Sequence, residues 1–163
     1  MTLPEYITAT RSTDLVGTVK HAALGLISEV GEVYGVLAKI ERGDSIDRTE
    51  RMTGELGDVA WFLARLCDLY SPGYDLRFDD PHYRWLHRGL TYQAYTFGLT
   101  ECGHCVLLDG QALTVDQQMN LWHQWAAICQ IEGLDPLTVL ESNLAKLRDR
   151  AARKVLQGDG DHR

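Results

Sequence analysis

Apolar residues recur at intervals of three and four along most of this chain, which is the spacing of one face of an α-helix. The clearest run extends from about Asp14 to about Arg42, and Gly43 suits the position just past a helix end. The alternating pattern typical of strands is scarce. The chain is therefore expected to be all-α. The apolar stripe of this first helix comprises Leu15, Val19, Ala22, Leu26, Val30, Val33 and Leu37.

A second helix is predicted to begin after Asp47, because Asp47 with Glu50 three residues later forms an N-capping pattern, and to end near Tyr70. A loop is expected over 74–81, and the tail 157–163 is too rich in glycine and aspartate to be helical. Three more helices are predicted over about 83–108, 114–132 and 136–154. Together these elements predict a bundle of four to five main helices around an antiparallel hairpin.

Acidic residues form two pairs at helical spacing, Glu29-x-x-Glu32 and Glu55-x-x-Asp58, and the pairs are mirror-symmetric about Gly43-Asp44. A helical hairpin turning there would bring all four to one height, and residues three apart share a helix face. Clustered carboxylates repel one another unless a cation lies among them. Hard oxygen ligands select Mg²⁺ or Mn²⁺, so these four acids are the predicted metal ligands.

For a single E-x-x-E pair, a solvated acidic helix face would be the better interpretation. Here the flanking residues are apolar and small, which favours a partly buried site. Gly31 and Gly57 lie inside the two acidic segments, where glycine costs a helix about 1 kcal/mol relative to alanine. We expect both glycines to allow close approach of the helices at the level of the acids.

The last predicted helix places an amide and cations on one face, namely Asn143, Lys146, Arg150 and Lys154. Such a stripe could bind phosphate oxygens. The alternative is an amphipathic helix with an ordinary basic outer face. Beside a metal cluster that awaits an anionic ligand, we favour phosphate binding.

The segment His21–Leu26 (HAALGL), the two acidic pairs and Glu55–Trp61 (ELGDVAW) resemble the MazG-like all-α nucleoside triphosphate pyrophosphohydrolases. The signature of that family is E-x-x-E, a spacer of about twenty residues, and E-x-x-D; here 22 residues separate Glu32 from Glu55. The close of the chain, NLAKLxxR with the glycine- and aspartate-rich tail, is also similar. The resemblance covers about 14–70 and 134–163, whereas 71–133 matches poorly.

This resemblance implies Mg²⁺-dependent hydrolysis of (deoxy)nucleoside triphosphates between the α- and β-phosphates, which gives a nucleoside monophosphate and pyrophosphate in nucleotide-pool house-cleaning. It implies that all four acids bind Mg²⁺, which Mn²⁺ could replace at hard oxygen ligands. An acid that does not directly ligate the metal could orient the attacking water as general base, and Glu29 or Glu32 is the candidate for that role. The resemblance also implies a homodimer or higher homo-oligomer. The implied substrate contacts are Asn143, Lys146, Arg150, Lys154 and, in the tail, Arg163.

Trp61 lies one turn after Asp58 and could stack on the base, although tryptophan at this spacing more often belongs to the core. His21 lies two turns before Glu29 and is expected to pack against the bundle.

Composition narrows the functional classes. The 163 residues favour one domain, and a net charge of −7 with a pI near 5.3 argues against broad nucleic-acid binding. The chain has no apolar run long enough for a membrane span and no secretory signal at its start, so a cytoplasmic location is expected.

Two further features bear on the middle of the chain. Cys102-x-x-Cys105 could contribute to a zinc site, but it lacks a second pair, and reduced packed thiols are expected. The segment 27–33 resembles 99–105, and 61–70 loosely resembles 125–134. This pattern predicts a degenerate second hairpin in 71–133 that has lost the metal site, the alternative being an insertion or chance likeness of two amphipathic hairpins.

Two other functions remain open. A catalytically inactive helical interaction module would need no acid cluster. A carboxylate-bridged di-iron bundle needs Glu-x-x-His on two helices, and only Glu101-x-x-His104 has that form.

Overall fold

The computed structural model describes residues 1–71 and 91–155. These two ranges contain six α-helices, one short 3₁₀ helix and no strand, which confirms the all-α prediction. The elements are α1 (Leu3–Thr10), the 3₁₀ helix (Arg11–Thr13), α2 (Val19–Glu41), α3 (Arg48–Tyr70), α4 (Tyr92–Asp109), α5 (Val115–Ile131) and α6 (Pro136–Ala152).

The helix boundaries follow local signals in the sequence. At the start of α2 to α6, a side-chain oxygen accepts a hydrogen bond from the backbone N–H three residues later, which satisfies one donor that the helix leaves unpaired. These caps are Thr18, Asp47, Thr91, Thr114 and Asp135. Gly43, Gly110 and Gly133 follow the ends of α2, α4 and α5 with positive φ, which confirms the helix-end position predicted for Gly43.

The predicted start of the first long helix near Asp14 is wrong, because α2 begins only at Val19. The Asp14 carboxylate instead accepts hydrogen bonds from the N–H groups of Val16 and Gly17 and forms a turn. Gly17 has φ +63°, which interrupts the helical path. Leu15, assigned to the apolar stripe, is therefore outside the helix and 55% exposed.

Helix α1 was not predicted, although its start carries a clear signal. Thr2 and Glu5 form a reciprocal capping box, in which each side chain accepts from the backbone N–H of the other. Leu3, Tyr6 and Ile7 then turn inward and join the core. A helix of eight residues has too short a hydrophobic pattern to stand out in the sequence.

The core forms around the antiparallel hairpin of α2 and α3. Helix α4 packs on α2, α5 packs between α4 and α3, and α6 packs on α3, while α1 bridges α3 and α6. Trp122 and Trp125 of α5 are fully buried, and the Trp125 indole N–H donates to the Leu56 carbonyl at 2.9 Å. This bond ties the second hairpin, α4–α5, to the middle of α3.

In the region predicted as a second hairpin, α4 and α5 follow one another and pack together, with α4 first described as helix at Tyr92. That they are a degenerate copy of the first hairpin stays a prediction. The predicted loop at 74–81 and the predicted helix start near Tyr83 lie outside the described residues, as does the tail 157–163. In the part of the chain that is described, no helix is both long and apolar enough to cross a membrane.

The glycine prediction holds at one position and is wrong at the other. A Cβ on Gly57 would lie 3.0 Å from the Cβ of Asn143, so Gly57 does allow close approach, although to α6. A Cβ on Gly31 would meet nothing within 4 Å. The tightest contact in α2 is instead Gly25, where a Cβ would lie 2.0 Å from the ring of Phe62.

Gly31→Ala and Gly25→Ala are therefore expected to have opposite effects on stability. Alanine at the open Gly31 site should raise the free energy of unfolding by about 0.5–1 kcal/mol, because glycine is the poorer helix former. Alanine at Gly25 should lower it by about 1–3 kcal/mol, because the Phe62 ring is packed against Trp61 and must move. Urea unfolding of the two variants measures both changes, and equal effects would contradict the assignment of a close contact to Gly25 and of open space to Gly31.

Candidate functional site

Three of the four predicted acids converge between α2 and α3. Glu29, Glu55 and Asp58 each offer a carboxylate oxygen, and these oxygens all lie within 4.8 Å of one another. It is the only such group of three or more potential ligands in the two described ranges. All three residues are half-buried, so the oxygens are partly withdrawn from water but can still be reached from outside.

Glu32 does not join this group. It is exposed, and its Oε2 lies only 3.8 Å from the position that a Cβ on Gly35 would take, so its carboxylate leans along its own helix. Its charge still contributes to the raised pKa of Glu29, which places it at the edge of the cluster. In this conformation three of the four acids form the site, and Glu32 lies beside them.

Helix α6 supplies a cation and an amide to the same cluster. The Lys146 ammonium donates to both oxygens of Asp58, each at 2.6 Å, and the Asn143 amide donates to Asp58 Oδ1 at 2.9 Å. These two residues were predicted to contact a triphosphate. In this structure they hold a metal-site acid, which places them next to any ligand of the cluster.

Tyr6 of α1 fixes the orientation of Asn143. The fully buried Tyr6 hydroxyl donates to Asn143 Oδ1 at 2.9 Å, so the amide nitrogen must face Asp58. Burial, and secondarily the Asp58 charge, raise the pKa of Tyr6 well above its usual value and keep the hydroxyl protonated. Sequence reasoning missed Tyr6, since its only signal was the capping box that positions α1.

Crowding of negative charge is most evident at Glu29. Burial is the main cause that raises the pKa of Glu29 to about 7, and the charges of Asp58 and Glu55 add to it. The Lys146 ammonium acts in the opposite direction. A carboxylate in this environment gains from a nearby cation, which is the behaviour expected of a metal ligand.

The metal-free protein is therefore expected to lose stability as pH rises from about 4.5 to about 7. The folded state binds the Glu29 proton more tightly than the unfolded state, so its stabilising effect is complete below the unfolded pKa and disappears through the folded pKa. As pH rises across this window, the free energy of unfolding of Glu29→Gln should increase by about 2 kcal/mol relative to that of wild type, after allowance for solvent screening. Urea unfolding in a chelator at several pH values measures this, and parallel pH profiles of the two proteins would contradict it.

The remaining predicted substrate contacts occupy different surroundings. Arg150 is half-buried one turn beyond Lys146 on the same face of α6, whereas Lys154 is exposed past the helix end. Arg163 lies outside the described residues. Trp61 is 9% exposed, and its indole N–H donates to the Thr13 hydroxyl at 2.9 Å, in keeping with the core position named as the alternative.

His21 packs edge-on against the Phe62 and Trp61 rings, as expected. The cysteines are all unpaired, and Cys67 and Cys129 are buried. Burial, followed by the neighbouring Cys105, raises the pKa of Cys102 to about 12. Cys102 is thus a thiol with little tendency to ionise, and the described acid cluster contains neither it nor Cys105.

Comparison with known protein families, with curated proteins and with solved structures finds no match to this chain. The interpretation of the site therefore depends on its own geometry and chemistry. The donor set consists of carboxylate oxygens alone, and the oxygens are close enough to share one ion. Both features fit a hard divalent cation such as Mg²⁺.

Proposed function

We propose that this chain is a Mg²⁺-dependent nucleoside triphosphate pyrophosphohydrolase, which releases a nucleoside monophosphate and pyrophosphate. The observation that carries the proposal is the convergence of Glu29, Glu55 and Asp58, with oxygens within 4.8 Å, beside the cationic face of α6. Carboxylates and cations at one site suit a substrate that is itself a metal–polyphosphate complex.

Each residue has a role in this proposal. Glu55 and Asp58 hold the metal, which when bound neutralises phosphate oxygens and lowers the pKa of bound water. Glu29 completes the ligand set, which leaves Glu32, the catalytic candidate outside that set, as the proposed general base that accepts a proton from water. Mn²⁺ would replace Mg²⁺ at the same oxygens.

Helix α6 would bind the phosphates. Asn143, Lys146 and Arg150 lie at spacings of three and four and therefore share a helix face, the first two already in contact with Asp58. Lys154 and Arg163 are further candidates toward the end of the chain. The resemblance of the two acidic motifs to the MazG-like enzymes supports the same assignment and points to cleavage between the α- and β-phosphates.

The test is a panel of ribo- and deoxynucleoside triphosphates incubated with the protein and Mg²⁺. Nucleoside monophosphate and pyrophosphate should appear in equal amounts, and orthophosphate should appear only after inorganic pyrophosphatase is added. Orthophosphate released directly would indicate stepwise phosphatase action. No turnover of any triphosphate, with Mg²⁺ or Mn²⁺, would favour the inactive interaction module.

The di-iron alternative has less structural support. Its required Glu101 and His104 are both exposed on α4, and neither belongs to the acid cluster between α2 and α3. Iron-dependent colour or oxidase activity would revive it. We also propose a homodimer or higher homo-oligomer in the cytoplasm, which light scattering and cell fractionation would test.

A further inference from the structure

We propose that Lys146 is a tethered cation that neutralises the acid cluster in the metal-free protein and leaves Asp58 when a divalent ion binds. Its release would then place a free ammonium beside the metal, where the substrate phosphates lie. This inference rests on the proposed function, because it assumes that the acid cluster is a metal site. It makes metal binding and the exposure of a phosphate-binding group one coupled event.

The hydrogen bonds of Asp58 show why the two cations compete. A carboxylate oxygen has two lone pairs. Both lone pairs of Asp58 Oδ1 are used, one by Lys146 Nζ at 2.6 Å and one by Asn143 Nδ2 at 2.9 Å, and Lys146 Nζ also lies 2.6 Å from Oδ2. A metal that binds Asp58 through both of its oxygens must therefore take the place of the ammonium at Oδ1, because Asn143 uses the other lone pair of that oxygen.

Electrostatics point the same way. Two positive centres that contact one carboxylate would lie within a few ångströms of each other, where they repel one another strongly because little water screens them. The ammonium also stabilises the charged form of Glu29, so it already serves the second acid of the cluster. Lys146 is thus the cation that the metal replaces.

The surroundings allow Lys146 to leave while Asp58 stays in place. The Lys146 side chain is 30% exposed and carries its ammonium on a flexible chain of methylene groups, so the ammonium can move into solvent. Asn143 cannot follow, since it is buried and held by Tyr6 from behind. Asp58 therefore keeps one fixed hydrogen bond and gains one free position for a ligand.

Removal of the tethered cation should tighten binding of the metal alone. In Mn²⁺ titrations followed by electron paramagnetic resonance, without nucleotide, Lys146→Met is expected to bind on the order of tenfold more tightly than wild type. Lys146→Arg keeps the charge and should bind as wild type does. Lys39→Met removes the same charge from an exposed position on α2 and is the matched control.

The outcomes separate this inference from the proposed function. Suppose that Lys146→Met binds Mn²⁺ no more tightly than wild type, while Glu55→Gln abolishes Mn²⁺ binding when it is introduced into either protein. The metal site is then supported, and the inference that Lys146 is a tethered cation is wrong. If neither protein binds Mn²⁺ in a Glu55-dependent manner, both proposals fail. A tightening shared by Lys39→Met would show only a general charge effect and would overturn the inference.

Wild-type protein provides a second measurement that needs no variant. With ¹⁵N-labelled lysine, the Lys146 ammonium should give a signal protected from exchange in the metal-free protein, because both Asp58 oxygens hold it. That signal should disappear as Mg²⁺ is added and the ammonium reaches solvent. An ammonium signal that persists at saturating Mg²⁺ would contradict displacement.

Discussion

Glu55→Gln is expected to reduce pyrophosphate release from nucleoside triphosphates by roughly hundredfold or more. Glutamine has the same shape as glutamate but no charge, so the site loses one of its three converging carboxylates and its negative charge while α3 keeps its packing. The measurement is steady-state pyrophosphate release with saturating Mg²⁺, on variants whose circular dichroism matches wild type. Excess Mn²⁺ is expected to recover only part of the rate.

Glu101→Gln is the matched control for this change. Glu101 occupies in α4 the position that corresponds to Glu29 in the sequence repeat, but it is exposed and lies outside the acid cluster. Its replacement should leave the rate within about twofold of wild type, as for a surface change far from the chemistry. If Glu55→Gln retained the wild-type rate as well, the acid cluster would not be the active site.

The approach of the two acidic segments could be predicted because it depends on regular helix geometry and on the position of the turn between α2 and α3. Helices rise by a constant amount per residue, so pairs equidistant from the turn at Gly43 meet at one height. Glu29 and Asp58 satisfy this rule, and Glu55 joins them from the turn of α3 that precedes Asp58. The N-caps at Asp47 and Asp135 can likewise be predicted from the sequence, because a capping side chain accepts a hydrogen bond from a backbone N–H only three residues away.

Glu32 departs from the prediction because helical spacing does not specify which way a pair is rotated. Residues three apart differ by roughly 60° around the helix axis. On α3 this rotation turns Asp58 toward α6, where it meets Lys146, whereas on α2 it turns Glu32 into solvent. The direction is set by where α6 packs, which the periodicity of α2 and α3 does not contain.

The contacts of Tyr6 and Lys146 were beyond prediction for a related reason. Tyr6 bonds a residue 137 positions away, and Lys146 bonds one 88 positions away. Periodicity could place Lys146 on a cationic helix face, but it could not show that the Lys146 ammonium is already bound to Asp58. Only the packing of α1 and α6 on the same side of α3 brings these groups together.

A second network, outside the acid cluster, joins the N-terminal segment to α3. Arg65 is 6% exposed and donates to Asp14 at 2.7 Å and to Asp68 at 2.8 Å. Arg11, which is more exposed, reaches Asp68 from the other side at 2.6 Å. Burial alone would raise the pKa of both aspartates, but the hydrogen bonds from the arginines help hold each pKa below its usual value.

Arg65→Met is expected to lower the free energy of unfolding by about 3–5 kcal/mol at neutral pH, because it leaves the buried carboxylate of Asp14 without its cation. The effect should shrink as pH falls below the unfolded pKa of aspartate, since a lowered folded pKa gives stability that protonation removes. Urea unfolding of the metal-free protein at several pH values measures both the size and the pH dependence.

Arg11→Met tests whether burial is the reason for this large effect. It removes a cation from the same Asp68, but from a partly exposed position where ion pairs contribute about 1 kcal/mol or less. Because Arg65 still pairs with Asp68 in that variant, no carboxylate is left alone. Equal destabilisation by the two substitutions would mean that the network depends on net charge rather than on the burial of Arg65.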